Sequence, residues 1–434
     1  MQNRLQLTSF LSQYAEKQMF RGHMPGHKGK APSNAPDLQG AYAWDITEIS
    51  GADSLFEASG ILRAAEQQTA ELYGSGSVCY SAGGSTLCIQ AMLAKMKAEH
   101  RHVIAARTVH RAFLNACVLL GLEVTWVRPR SGSLIAGQYA AEDFAAALEK
   151  TDGAACVYVT SPDYCGNLQD LRGLAAVCRR FGARLLVDNA HGAHLAFLEE
   201  KLHPMQCGAD FCCDSFHKML PSLTGAAVLH SAEDCGAEMK QYMQLFGSTS
   251  PSYLILQSIE AATEWLRQGG GEEVRHCAER SAVLRASLPQ YHFAGNDPLH
   301  VTIKADGNAL ADELRMQGVE CEYADSTCLV LLLSPVMEEG DFQRLYTALS
   351  RCEPKPPAVP PPLPSAPEQV LSMREAALSA WVSVPVGEAV GRICGMVQVP
   401  CPPAVPLIVS GERITEEWVG LMRFYGIGNM ICVL

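Results

Sequence analysis

Short apolar runs alternate with longer stretches of helical spacing from about Asp45 to His230. Val78–Tyr80, His102–Ala106, Glu123–Val127, Ala154–Thr160, Arg184–Val187, Phe211–Cys213 and Ala226–His230 read as strands. Helical stretches lie between most of them. The clearest runs from Asp170 to Phe181, with Asp170 at the N-cap and Gly182 just past the end. Strands alternating with helices predict βαβ units and a mainly parallel sheet, in which ligands sit beyond the carboxyl ends of the strands. Thr8 to Lys17 predicts a first helix, and Tyr253 to Gln268 a long one. Between about residues 270 and 350 the order reads helix, strand, helix, strand, helix, with strands at Leu299–Ile303 and Cys328–Leu333.

Two segments resist regular structure. RGHMPGHKGKAPSNAP, Arg21 to Pro36, is rich in Gly and Pro; it suits a flexible linker or a loop lining a site. PKPPAVPPPLPSAP, Pro354 to Pro367, favours an extended, semi-rigid linker. Five segments follow: an N-terminal helix and arm over 1–44, a large α/β domain over 45–268, a smaller α+β domain over 269–353, the linker over 354–367, and a C-terminal domain over 368–434.

Composition changes this picture little. With 434 residues, 48% hydrophobic and 18% charged, the chain has the profile of a soluble globular protein of several domains. The net charge of -12 and the lack of a Lys/Arg run exclude a basic face for nucleic acid. No apolar run is long enough to span a bilayer, and the N-terminus lacks the apolar core of a signal peptide. The 17 cysteines are odd in number and contain no Cys-x-x-Cys pair, which argues against a disulfide framework or structural zinc. A cytoplasmic protein is expected, with no nucleic-acid or membrane partner.

Three loops that follow strands carry candidate chemistry. SAGGST, from Ser81, puts glycines between a strand and a helix opened by Ser85 and Thr86. Free backbone N–H groups and two hydroxyls there make an anion cup, with Gly84 letting the backbone approach a phosphate. LLVDNAHGAHL places Asp188 at the end of a buried strand, where a carboxylate needs a positive partner such as a protonated pyridine nitrogen. Asp188, His191 and His194 also suggest metal ligands, but no further cluster completes a set, and no metal is expected. CCDSFHKML sets Lys218 in a segment poor in charge, where an amine becomes nucleophilic, with Ser215 and His217 within reach of a phosphate. A phosphate cup, a buried Asp and a Lys thirty residues beyond it are the parts of a pyridoxal-phosphate (PLP) site.

The sequence resembles the Orn/Lys/Arg decarboxylases of fold type I, in their short bacterial form. Arg21–Gly29 is similar to the family's MPGHKG segment, and Asp45–Glu48 with Gly51–Leu55 to its next block. Arg107 to His110 resembles R-x-x-H, Asp188–His194 resembles DEAHGAH, and Ser215–Lys218 resembles S-x-H-K. Pro402–Pro406 and Gly411–Ile414 resemble the PPG-x-P and GE-R motifs of the family's C-terminal domain. Asn189 departs from a usual Glu, Met219 from Thr and Gly225 from Gln, and Asp163 sits in a loop that usually reads P-T-Y.

The resemblance implies an aspartate-aminotransferase-like large domain, and a homodimer or a higher oligomer built from it. It implies that Lys218 is the Schiff-base lysine, that His110 stacks on the cofactor ring, and that Asp188 keeps the ring nitrogen protonated. Gly84, Ser85, Thr86, His191, Ser215 and His217 complete the cofactor-binding set. The implied activity is α-decarboxylation of arginine, lysine or ornithine to the amine, in polyamine metabolism. His217 or Lys218 would return a proton to Cα, and Glu48 and Asp53 are candidate partners for the substrate's cationic end. The alternatives are another fold type I reaction, transamination or β-elimination, or a paralogue without activity.

Overall fold

The computed structural model describes residues 5–17, 19–397 and 403–434. The chain divides into two compact units, Met1–Lys95 with Leu186–Arg275 and Met96–Leu185 with His276–Leu434. In chain order the strands of the α/β part are β1 (Ser77–Ser81), β2 (His102–Ala106), β3 (Val124–Val127), β4 (Ala155–Thr160), β5 (Arg184–Asp188), β6 (Phe211–Asp214) and β7 (Ala227–Ser231). Each lies within a residue of its predicted place, because each is a compact apolar run with turn residues at its ends.

In the first unit β5 pairs parallel to β6, while β7 runs antiparallel to both β6 and β1. In the second unit β2 pairs parallel to both β4 and β3. The sheet is therefore mainly parallel, as the alternating pattern predicts. Leu185, Leu186 and Val187 of β5 and Val157, Tyr158 and Val159 of β4 have no exposure. Continuous apolar strands of this kind are buried on both faces, as parallel sheets require. The helix Leu171–Phe181 has the predicted ends: Asp170 accepts from Gly173 N, and Gly182 is left-handed at φ 64°.

The long helix predicted from Tyr253 stops at Trp265, and a wide turn over Leu266–Gly270 leads into a further helix, Gly271–Ala286. Gly269, at φ 128°, breaks the run immediately after the predicted end at Gln268. The smaller α+β part has four strands instead of two, since Phe293–Ala294 and Tyr323–Ala324 add edges only two residues long. Such edges are too short to leave an alternation in the sequence. No helix or strand occurs between Cys352 and Glu368, the stretch read as a linker. Beyond it, Trp381–Pro385 pairs antiparallel with Asn429–Val433, and the helix Glu416–Phe424 packs Trp418, Leu421 and Met422 into a core of their own. The first helix runs Gln6–Glu16; its opening amides, Leu7 N and Thr8 N, are accepted by Glu260 at 2.9 Å each.

Candidate active site

Asp188 and Lys218 both belong to the first unit. β5 ends on Asp188, and β6 leads through Ser215 into the short turn of helix Phe216–Met219 that carries Lys218. Asp188 is 2% exposed. Its Oδ1 accepts from Ala190 N at 3.2 Å and from Cys213 Sγ at 3.7 Å. Lys218 Nζ lies 3.0 Å from His191 Nε2, a buried ring from the loop after Asp188. The two loops read separately in the sequence are thus joined in space by an amine–imidazole contact.

His217 is tied differently. Its Nδ1 donates to the Ala226 carbonyl at 2.8 Å, which leaves Nε2 as the unprotonated nitrogen of the neutral ring. Burial lowers its pKa, and the neighbouring Lys218 charge lowers it further, against the Ala226 bond. Ser215 is buried, and its carbonyl accepts from Lys218 N at 3.1 Å.

The strand–glycine–helix turn proposed as an anion cup has the expected backbone order. A 15-residue helix, Gly84–Ala98, begins at Gly84, which has φ +67°. Gly84 N donates to Gly225 O at 2.9 Å, so its own N–H is taken, and the amides of Ser85 and beyond form the helix opening. A Cβ built on Gly84 meets nothing within 4 Å. Glycine suits this turn for its left-handed backbone, and the space beside it stays open. Gly225, one of the departures from the family pattern, lies against this turn at φ +95°.

Glu48 is exposed, and its Oε1 accepts from Ser54 Oγ at 2.8 Å and Leu55 N at 3.1 Å. Asp53 is more fully engaged. Its oxygens accept from Ser54 N, Ser59 N, Gly60 N, Leu62 N and Arg63 N, between 2.8 and 3.4 Å. These bonds cap the helix Ile61–Tyr73 and hold the Asp53 pKa low against its partial burial. The geometry is that of a structural cap. In the arm, His23 Nε2 meets Tyr14 OH at 2.6 Å, and His27 Nε2 meets Asp45 Oδ2 at 3.0 Å, so both rings are held by internal contacts.

His110 lies in the second unit. It caps the helix Arg111–Leu120, with Nδ1 accepting from Ala112 N at 3.1 Å. Arg107, from the same motif, is buried and donates to the carbonyls of Pro406 and Leu407 at 3.1 and 3.0 Å, and meets Glu412 Oε2 at 3.3 Å. Two motifs three hundred residues apart are thereby one structural joint. Pro402, of the same C-terminal motif, lies outside the described residues. Asp163 has no exposure and accepts from Cys165 N and from the Asn167 backbone and side chain. Among the described residues, the potential metal ligands that converge are not Asp188, His191 and His194 but His203, Asp214 and His230, which the motif reading passed over. Nothing in the spacing of these three marks them in the sequence.

No helix among the described residues is long and apolar enough to cross a membrane. None of the cysteines among them forms a disulfide, and all but Cys235 and Cys321 are buried.

The chain is 26% identical over 453 residues to the arginine decarboxylase of Bacillus subtilis, covering 96% of this chain and 92% of that protein. It is 24% identical over 454 residues to the arginine decarboxylase of Bacillus anthracis, covering 96% and 92%. Among solved structures, lysine decarboxylase A of Pseudomonas aeruginosa superposes with TM-score 0.80 at 17% identity, over 99% of this chain and 80% of that one. The Sphingomonas wittichii serine palmitoyltransferase shares the fold over 69% of this chain and 78% of its own, with TM-score 0.58 and 16% identity. The family model for the Orn/Lys/Arg decarboxylase major domain matches residues 6–302, and that for its C-terminal domain matches residues 363–427. With more than half its length inside the first of these, the chain belongs to the Orn/Lys/Arg decarboxylase family.

Proposed function

We propose that this protein is a PLP-dependent decarboxylase that removes the α-carboxylate of a basic amino acid, arginine, lysine or ornithine, and releases the amine. The observation that carries the reading is that a 2% exposed carboxylate ends β5 while the turn after the neighbouring strand presents an amine, 3.0 Å from His191 in the loop after that carboxylate. A buried carboxylate at this place suits a protonated pyridine nitrogen. The relatives' names, arginine decarboxylase and lysine decarboxylase, support the reaction and the substrate class.

The residues present fit the cofactor. Lys218 would hold it covalently, Asp188 would face the ring nitrogen, and Ser85, Thr86 and Ser215 at the turns would hold its phosphate. By the family pattern His110 would help to hold the ring. When bound, PLP supplies an electron sink for the pair left at Cα as CO2 departs. The chain's own part is to orient the substrate and to return one proton. His217, its pKa lowered and its Nδ1 proton directed at Ala226, is a poor donor. Lys218 Nζ is the better one, with His191 Nε2 at 3.0 Å to share the proton.

Glu48 stays a candidate partner for the substrate's cationic end, while the amides around Asp53 give that residue another task. A homodimer, or a higher oligomer built from it, and a cytoplasmic location with a place in polyamine metabolism belong to the same proposal. The test is CO2 and amine release from each basic amino acid, set beside neutral ones. Keto acid or ammonia from the basic substrates, without CO2, would move the protein to the transaminase or lyase alternative. Asp188→Ala should keep some cofactor yet lose nearly all turnover.

A further inference from the structure

A polar cluster lies directly behind the tips of β5 and β6, and the proposed chemistry makes no use of it. Asp214, the last residue of β6, has no exposure. Its Oδ1 accepts from Asn189 Nδ2 at 2.7 Å. Its Oδ2 lies 3.0 Å from His203 Nε2 and 3.2 Å from His230 Nε2. Both histidines are fully buried, and the ring of Tyr73 packs against each at about 5 Å. His230 Nδ1 meets Ser75 Oγ at 2.9 Å. Burial pushes the Asp214 pKa up, but the two histidines outweigh it and hold the group well below the usual carboxylate range.

The ligand atoms of His203, Asp214 and His230 lie within 4.8 Å of one another, a spacing that a metal ion also uses. The next layer of contacts argues for hydrogen bonds instead. His203 Nδ1 accepts from Met205 N, so the neutral ring carries its proton on Nε2, facing Asp214. A metal on Nε2 would need Nδ1 to donate, against another N–H.

The cluster is wired to the reactive pair. Asn189 follows Asp188, and its N donates to the Cys213 carbonyl at 3.0 Å. Cys213 is opposite Asp188 in the parallel register, and it precedes Asp214, four residues before Lys218.

We propose that Asp214 is a positioning residue: with Asn189, His203 and His230 it locks the tips of β5 and β6 together and so sets Asp188 and Lys218 in place. In Asp214→Asn the new N–H₂ either faces His203 Nε2, another donor, or meets Asn189 Oδ1 after that amide turns over; in both cases the charge held between the two histidines is lost. The lock is weakened without a change of size. In His203→Gln a donor toward Oδ2 is kept; in His203→Leu it is lost.

This inference rests on the proposed function, and the two can fail separately. Borohydride reduction of wild-type holoenzyme should place the pyridoxyl mass on Lys218, and its absence there removes the underlying reading alone. Given that label, Asp214→Asn and His203→Leu should lower kcat by about 10- to 100-fold, the range carried by partners one layer out from a working group. KM should stay within about threefold, since substrate contacts are untouched. The pH midpoint of the bound cofactor's visible band should shift in both variants, while His203→Gln stays near wild type in all three readouts. Far-UV circular dichroism selects the folded variants; should Asp214→Asn not fold, the His203 pair carries the test. Wild-type kcat and band midpoint in Asp214→Asn would overturn the proposal. Equal damage from His203→Gln and His203→Leu, or one zinc per chain by elemental analysis of the wild type, would do the same.

Discussion

Asp163→Asn removes an acid that the fold holds at a cost. The side chain has no exposure, and burial raises its pKa from 3.8 to about 6, although Cys165 N, Asn167 and the nearby His300 all pull it down. A carboxyl whose folded pKa is raised contributes stability below its unfolded value, and that contribution is lost as pH rises through the folded value. The shift of roughly two units corresponds to about 3 kcal/mol between the fully protonated and fully ionised limits. At pH 5 the folded group is about nine-tenths protonated and the unfolded group almost fully ionised, which leaves about 1.4 kcal/mol of the contribution in place. At pH 8 none is left. Asparagine does not titrate, so the stability of the variant relative to wild type should rise by about 1.4 kcal/mol from pH 5 to pH 8. The Asn167 amide, which donates to both Asp163 oxygens, must turn over to meet the new N–H₂. That adjustment adds an offset without pH dependence, so the slope is the quantity that counts. Urea unfolding of both proteins at pH 5, 6, 7 and 8, at one fixed cofactor concentration, measures it. A difference that stays flat or falls as pH rises would refute the assignment of Asp163 as a buried acid ionised at a cost.

Lys218→Ala should take up no pyridoxyl mass after borohydride treatment and should lose CO2 release entirely; label elsewhere on the chain, found by peptide mapping, would displace Lys218 from its role. Gly84→Ala should cost about 1 kcal/mol by thermal unfolding, because an L residue is strained at φ +67° even where its Cβ has room. It should also weaken PLP retention on dialysis, and an unchanged protein would mean the helix opening does not depend on that backbone. Asp53→Ala should destabilise the protein by about 1 to 2 kcal/mol through the loss of its cap on Ile61–Tyr73, with KM for the basic substrate unchanged. A large rise in KM at unaltered stability would return Asp53 to the substrate.

The positions of the sheet strands are legible in the sequence, since runs such as Leu185–Val187 are short, apolar and bounded by turn residues, which favours a buried strand over a helix. The same holds for the helix between Asp170 and Gly182, whose ends are written in side chains and backbone freedom that act within a few residues. The candidate chemistry was legible for a related reason: Asp188, Lys218 and the Gly84 turn each sit where a strand ends, and motifs of local spacing mark them. Tertiary structure decided what distant residues do to one another. Nothing local pairs Arg107 with Glu412 or brings Gly225 O onto Gly84 N. Nothing near Asn189 in the sequence marks Asp214, on the neighbouring strand, as the acceptor of its amide. His203 and His230 show no motif, and only the packing of buried strand ends makes them partners of one carboxylate. A buried charge must be met by whatever the fold brings within about 3 Å. Which residues those are depends on the register of paired strands, and no local pattern carries it.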